Sequence, residues 1–266
     1  MSDNQVALVT GATGTIGRAV ATELGARGAA LLLTGRRKDV LDEVADELRG
    51  RGVQVQTVVG DVADPAHAEQ AVARATEAFG PVTTLVNNAG GGGGTGISVA
   101  DSDPAAWRES LLTNTFGPYL FARAVLPSMV RERRGRIITV ASRAGTAAIP
   151  TASAYVVAKT AVMRLSETIA AETRGTGVVA FSLHPGGIVS GINAAQIESG
   201  LIPAERFPDS AEAAARMIAD LASGRYDVLS GAYLDVVGLL NDRSTLGVKG
   251  LELEDEFLEG QRIGFG

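Results

Sequence analysis

The 266-residue chain contains no cysteine, which removes disulfides and thiolate-bound metals and fits a reducing compartment. Histidine is nearly as scarce. His67 and His184 are the only two and lie far apart, so no histidine-rich metal site is expected. Lysine occurs three times, as Lys38, Lys159 and Lys249, although lysine and arginine together number 24. No uninterrupted apolar run reaches the length of about 18 residues that a membrane-spanning helix needs. The first apolar stretch, VALVTGATG from Val6, has no basic segment before it, so no signal peptide is expected. A formal charge of -6 and a pI near 5.1 argue against a broad nucleic-acid surface. These absences together predict a soluble, cytoplasmic protein without metal, membrane or nucleic-acid partners.

What is present is a globular composition, with 45% hydrophobic and 20% charged residues. One domain over 1–266 is expected. Short apolar runs at 6–10, 29–35, 53–61, 82–90, 135–142 and 177–187 have the character of buried strands. Between them, segments 16–27, 40–49, 66–79, 107–131 and 152–174 carry helical periodicity, followed by a helix at 210–222 and a strand YLDVV at 233–237. Strand and helix in alternation predict an α/β fold: a doubly wound Rossmann-type sheet of about seven parallel strands, with helices on both faces. In such sheets ligands bind at the carboxyl ends of the strands, which is where candidate residues are sought.

The first strand runs into TGATGTIGRAV, which places Gly11, Gly14 and Gly17 at a turn into a helix, with Thr13, Thr15 and Ile16 among them. Glycines let backbone N–H groups approach a pyrophosphate, and the helix N-terminus favours negative charge. A merely tight turn is the plainer alternative. The second strand ends in TGRRKD, so Gly35 stands where NAD-selective sheets commonly carry an acid, followed by Arg36 and Arg37. A guanidinium grips the 2′-phosphate of NADP, whereas a carboxylate repels it. NADP is therefore expected rather than NAD, against the alternative of a solvated basic loop. Asp61 and Val62, in GDVAD after the third strand, are placed to meet the adenine ring, or else Asp61 only caps its loop.

With NNAG at Asn87 to Gly90, WRESLLTNTFG carrying Asn114, Ser142, Tyr155, Lys159 and PGGIVS in order, the chain resembles the short-chain dehydrogenase/reductase family from Val6 to about Val237. The serine stands thirteen places before the tyrosine and the lysine four after it, as in that family. The resemblance implies that Asn114, Ser142, Tyr155 and Lys159 are catalytic. It also implies that Asn88, Ala89, Gly90, Tyr155, Lys159, Pro185, Gly186, Ile188 and Ser190 contact the dinucleotide. Chemistry supports these residue types. A phenol with pKa about 10 needs an adjacent cation to exchange its proton at neutral pH, and a lysine at i+4 shares its helix face. Ser142 would orient the substrate oxygen, and Asn114 would hold a kink or a water that links Lys159 to solvent. Two departures stand out: Thr15 occupies the family's middle-glycine place, and Ser190 stands where threonine is more frequent.

The implied activity is hydride transfer between NADP and a ketone or secondary alcohol, in a homodimer or homotetramer that pairs the outer faces of 107–131 and 152–174, with Val156, Met163 and Ile169 as candidate contacts. Two alternatives remain: a catalytically silent nucleotide-binding regulatory or scaffold protein, and a sugar-nucleotide epimerase or dehydratase. The substrate wall is expected from 91–97, 143–151 and a lid over about 187–208, with Arg143 and Arg206 as the available anion clamps. A tail over about 239–266 exceeds what the sheet needs.

Overall fold

The computed structural model describes residues 5–91, 96–190, 197, 198, 203, 205 and 207–236. Arg206, most of the expected lid, glycines 92–94 and the whole tail from 239 lie outside the described residues. Seven strands form one sheet: β1 (Val6–Thr10), β2 (Ala30–Gly35), β3 (Val55–Val59), β4 (Thr84–Asn87), β5 (Gly135–Val140), β6 (Val178–His184) and β7 (Tyr233–Asp235). Their order is β3-β2-β1-β4-β5-β6-β7, and every neighbouring pair is parallel. The chain builds outward from β1 to β3 and then restarts on the other side with β4. The β1/β4 junction is thus the switch point, where a crevice opens at the strand ends.

Continuous apolar runs make the central strands because both sheet faces are covered. On one face, α1 (Thr15–Ala26), α2 (Lys38–Gly50) and α7 (Ala211–Ala222) pack Leu24, Leu48 and Ile218 against Leu31, Leu33, Phe181 and Leu183. On the other, α3 (Pro65–Phe79), α5 (Gly117–Arg131) and α6 (Ser153–Glu172) bring Ala71, Phe121 and Ile169 onto Leu8, Leu85 and Ile137. Phe121 and Phe181 are fully buried, and truncating either to alanine would cost about 3 to 5 kcal/mol. Ile169, a candidate either for an outer contact face or for burial within the monomer, belongs to this core because the 3.6-residue period turns it inward with Val162 and Ser166. Met163 is half-buried against Gly145.

The segment expected as one helix over 107–131 is three pieces: α4 (Pro104–Leu111), a π turn (Leu112–Phe116) and α5. It begins earlier than expected because the Asp103 carboxylate accepts from the Ala105 and Ala106 N–H groups, with Pro104 at the first helical place. The break has a cause in Pro118, which has no N–H to give the Asn114 carbonyl four residues back and would crowd it in a regular helix. Strand ends also stop short of expectation, β4 at Asn87 and β6 at His184. The residues past those ends leave the ladder and form the crevice walls.

Candidate active site

A cleft of about 790 Å³ lies across the carboxyl ends of β1, β2, β4, β5 and β6. At one end, Gly11 has φ +65, and a β-carbon there would stand 2.7 Å from Ala89 Cα, while one at Gly17 would overlap the Gly11 carbonyl. Glycine at these two places lets the start of α1 close onto the loop. Gly14 is the N-cap and offers no side-chain cap, and it lines the cleft together with the first-turn residues Thr15 and Ile16. A β-carbon at Gly14 would meet only ordinary contacts, and Thr15 is an exposed first-turn residue. Thr15 in place of the family's middle glycine thus leaves the turn intact. Asn88 donates to the Thr10 and Gly11 carbonyls at 3.0 and 3.1 Å, and Thr10 Oγ1 accepts from the Asn88 and Ala89 amides. Its side chain braces the loop.

Beyond Gly35 the two arginines differ. Arg37 donates to the Thr13 carbonyl at 2.9 Å. The Arg36 side chain is 72% exposed and reaches Asp61 only at 3.8 Å. A β-carbon at Gly35 would stand 3.0 Å from Thr13 Cγ2. Asp61 accepts from the Ala63 amide at 2.9 Å, which shapes the turn that carries Val62 into contact with Gly117.

At the other end the groups are buried. Asn114 sits in the π turn, 1% exposed; its Nδ2 donates to the Gly91 and Ser110 carbonyls at 2.9 Å each, and its Oδ1 accepts from the Gly91 amide. Gly90 permits this approach: a β-carbon there would lie 2.9 Å from Asn114 Oδ1 and 3.6 Å from Lys159 Nζ. Ser142, just past β5, accepts from the Ala144 amide at 3.2 Å and hydrogen-bonds Tyr155. Tyr155 and Lys159 lie one turn apart on α6, with Nζ 5.6 Å from the ring centroid. Lys159 is 4% exposed and donates to the Val140 carbonyl at 2.9 Å. Burial raises the Tyr155 pKa, which the Ser142 hydrogen bond opposes, and burial lowers that of Lys159 to about 8.

Past β6, Pro185, Gly186, Ile188 and Ser190 line the same cleft. Their turn is pinned by Asp209, a residue the sequence reading missed: its carboxylate accepts from the Gly187 amide at 2.7 Å and its own amide donates to the Gly187 carbonyl. The partners are 22 residues apart and share no local pattern, so only the adjacent Ser210, which caps α7, hints that the chain returns here. Ile188 packs on Ala211 and Ala214 of that helix. Arg143, expected as a substrate clamp, is instead committed to Asp235 of β7 at 2.6 Å. Among the described residues no helix is long and apolar enough to cross a membrane, and no group of three or more metal-ligating side chains occurs.

Residues 5–199 match the family model described as short chain dehydrogenase. A ketoacyl reductase 1 of granaticin polyketide synthesis, from Streptomyces violaceoruber, is 40% identical over 184 residues, covering 68% of this chain and 66% of the relative, just under two thirds of its length. A 2-(S)-hydroxypropyl-CoM dehydrogenase 3 from Xanthobacter autotrophicus is 31% identical and covers 91% of both chains. An actinorhodin polyketide ketoreductase crystallised with NADPH superposes with a TM-score of 0.82 at 28% identity, over 91% of this chain and 99% of that one. A doubly wound sheet, a glycine turn at its switch point and a Ser-Tyr-Lys cluster at the strand ends, joined to matches that span most of the sequence, show that this chain belongs to the short chain dehydrogenase family of oxidoreductases.

Proposed function

We propose that the chain is an NADP-dependent oxidoreductase acting on a ketone or secondary alcohol, with Tyr155 as general acid and base. The observation that carries this reading is Lys159, a cation 4% exposed that has no carboxylate partner among the described residues. Burying an unpaired ammonium opposes folding, and its place one turn from Tyr155 gives it a chemical reason, the stabilisation of a phenolate. The cleft fits the dinucleotide. First-turn amides of α1 would hold the pyrophosphate, Arg36 the 2′-phosphate, Asp61 and Val62 the adenine, and the Pro185–Ser190 turn the nicotinamide. NADPH at that site supplies a hydride to the carbonyl carbon, and NADP accepts one from the alcohol.

In reduction, Tyr155 donates its phenolic proton to the substrate oxygen while Ser142 donates a hydrogen bond to the same atom. The ammonium of Lys159 offsets the phenolate left behind. Asn114, braced on Gly91 and Ser110, keeps the floor of this end fixed. Alcohol oxidation runs the same proton path in reverse. Likeness to a ketoreductase crystallised with NADPH supports the cofactor assignment, as does the absence of an acid at Gly35. NADPH and NADH oxidation against a panel of ketones tests the reading; no turnover with any carbonyl would favour a silent nucleotide-binding protein. We also propose a single domain that works in the cytoplasm as a homodimer or homotetramer, with the exposed Phe116, Tyr119 and Val157 on the outer side of the helices that carry the site. A monomeric mass by light scattering would reject that assembly.

A further inference from the structure

His67, in the first turn of α3, is 4% exposed and adjoins the Arg36 end of the cleft through Gly60, which lines it. Three contacts fix its ring. Nε2 stands 2.6 Å from Thr34 Oγ1, the ring meets that of Phe121 edge-on with 5.8 Å between centroids, and it presses on Gly60 so closely that a β-carbon there would stand 2.2 Å from Nδ1. Thr34 precedes Gly35 and Arg36 at the end of β2, and Gly60 precedes Asp61 and Val62 just past β3. Gly35, Arg36, Gly60, Asp61 and Val62 all line the cleft, and the Gly60 amide donates to the Gly35 carbonyl at 3.1 Å. One ring thus touches both chain segments where they leave the sheet.

That ring opposes folding in one respect. Nδ1 is buried without a hydrogen-bond partner, and whichever way the proton of the Thr34 contact runs, this nitrogen stays unmatched. Burial lowers the His67 pKa, against upward pulls from Asp64 and Asp61, so the ring is mainly neutral at pH 7. A leucine would fill much of the same space and leave no polar atom over. What it lacks is a directional bond to β2 from a group that also presses on the start of the next loop. The histidine ties the two segments to each other and to α3.

Resting on the cofactor reading above, we propose that His67 is a positioning residue for the adenosine half of NADP: acting through Thr34 and Gly60, it holds Arg36, Asp61 and Val62 in one arrangement. Loosening the two segments lowers the fraction of molecules whose loops are set for binding, and apparent affinity falls with that fraction.

Calorimetric titration of the full chain with adenosine 2′,5′-bisphosphate, the adenosine half of NADP, tests this without turnover. His67→Leu, which loses the bond and the ring, is expected to raise Kd about three- to tenfold, the range that a single hydrogen bond spans. His67→Gln, whose amide can reach Thr34, is expected to stay within about twofold of wild type. Thr34→Val removes only the hydroxyl and should reproduce the loss, and in the double variant His67→Leu/Thr34→Val the two losses should not add, because either substitution breaks the same bond. In all of these, kcat at saturating NADPH should change by less than about twofold, since the Tyr155 end is untouched. Where His67→Leu does not fold, Thr34→Val decides alone. A Kd unchanged within about twofold in these variants, with only thermal stability altered, makes His67 an ordinary core residue and overturns the inference while the oxidoreductase reading stands. A wild type that does not bind adenosine 2′,5′-bisphosphate overturns the NADP reading and this inference with it.

Discussion

At the Arg36 end of the cleft the charges stand in water, whereas at the Tyr155 end they are enclosed. The Arg36 and Asp61 side chains are 72% and 40% exposed and meet only at 3.8 Å; Asn114 and Lys159 are 1% and 4% exposed, each fixed by hydrogen bonds. The contrast follows the two tasks. A phosphate has to be attracted, held and released, which a solvated guanidinium does with a modest, salt-sensitive energy. A phenol has to change its proton affinity, which needs an ammonium where water does not screen it. Under the proposed function, specificity for the cofactor would rest on weak, adjustable contacts, and chemistry on a costly, rigid one.

The largest test of that division is Tyr155→Phe. It is expected to lower turnover by ~10² to 10⁴ and to leave NADPH binding within a few-fold, by single-turnover kinetics and fluorescence titration; near-normal rates would remove the buried end from the chemistry. Lys159→Met separates cost from use. Lowering of the lysine pKa from 10.5 to about 8 is worth about 3 kcal/mol, and losing the Val140 hydrogen bond returns about 1 kcal/mol. The variant should be inactive and about 2 kcal/mol more stable to urea at pH 7. The sign follows from proton counting: between about pH 8 and 10.5 the unfolded lysine holds a proton that the folded one has shed. Stability gained from the substitution is therefore full below about pH 8 and fades as pH rises through that window.

Carbonyl reduction gives a third test, since Lys159 must be protonated to offset the phenolate. In kcat/KM, which reports the free enzyme, activity should halve near pH 8 and fall about tenfold by one unit above it. A flat profile through pH 9 would mean that the lysine charge is not used. The smallest effect belongs to the exposed end. Arg36→Ala should raise KM for NADPH by about five- to tenfold at low salt and less at high salt, with NADH nearly unaffected. Equal efficiency with both cofactors in the unmodified protein would reduce the arginine pair to a solvated loop.

The strands were legible because both faces of a parallel sheet demand unbroken apolar runs, and the Tyr155, Lys159 and Gly17 positions because fixed spacing on a helix or turn is local information. What escaped was long-range or geometric. Asp209 reaches Gly187 across 22 residues, and Arg143 finds Asp235 across 92. Neither pairing leaves a periodic trace. The helix expected over 107–131 was continuous on paper because a π turn needs no special residue, and its sequence cue, Pro118, equally marks an ordinary helix start.

That π turn can be regarded as a residue in surplus. Each residue of a helix advances the facing direction by about 100°, so the wide turn acts as a phase shifter between two helices that must look different ways. Ahead of it, α4 is aligned to meet α6, where Trp107 donates to Ser153. After it, α5 is aligned to lay Phe121 and Val125 into the core. Removing one residue from the turn would put the two halves in one phase on either side of Pro118, and only one of them could then keep its facing. The irregular turn lets both helices keep their partners, and it leaves Asn114, at the point of the phase change, turned toward Gly91.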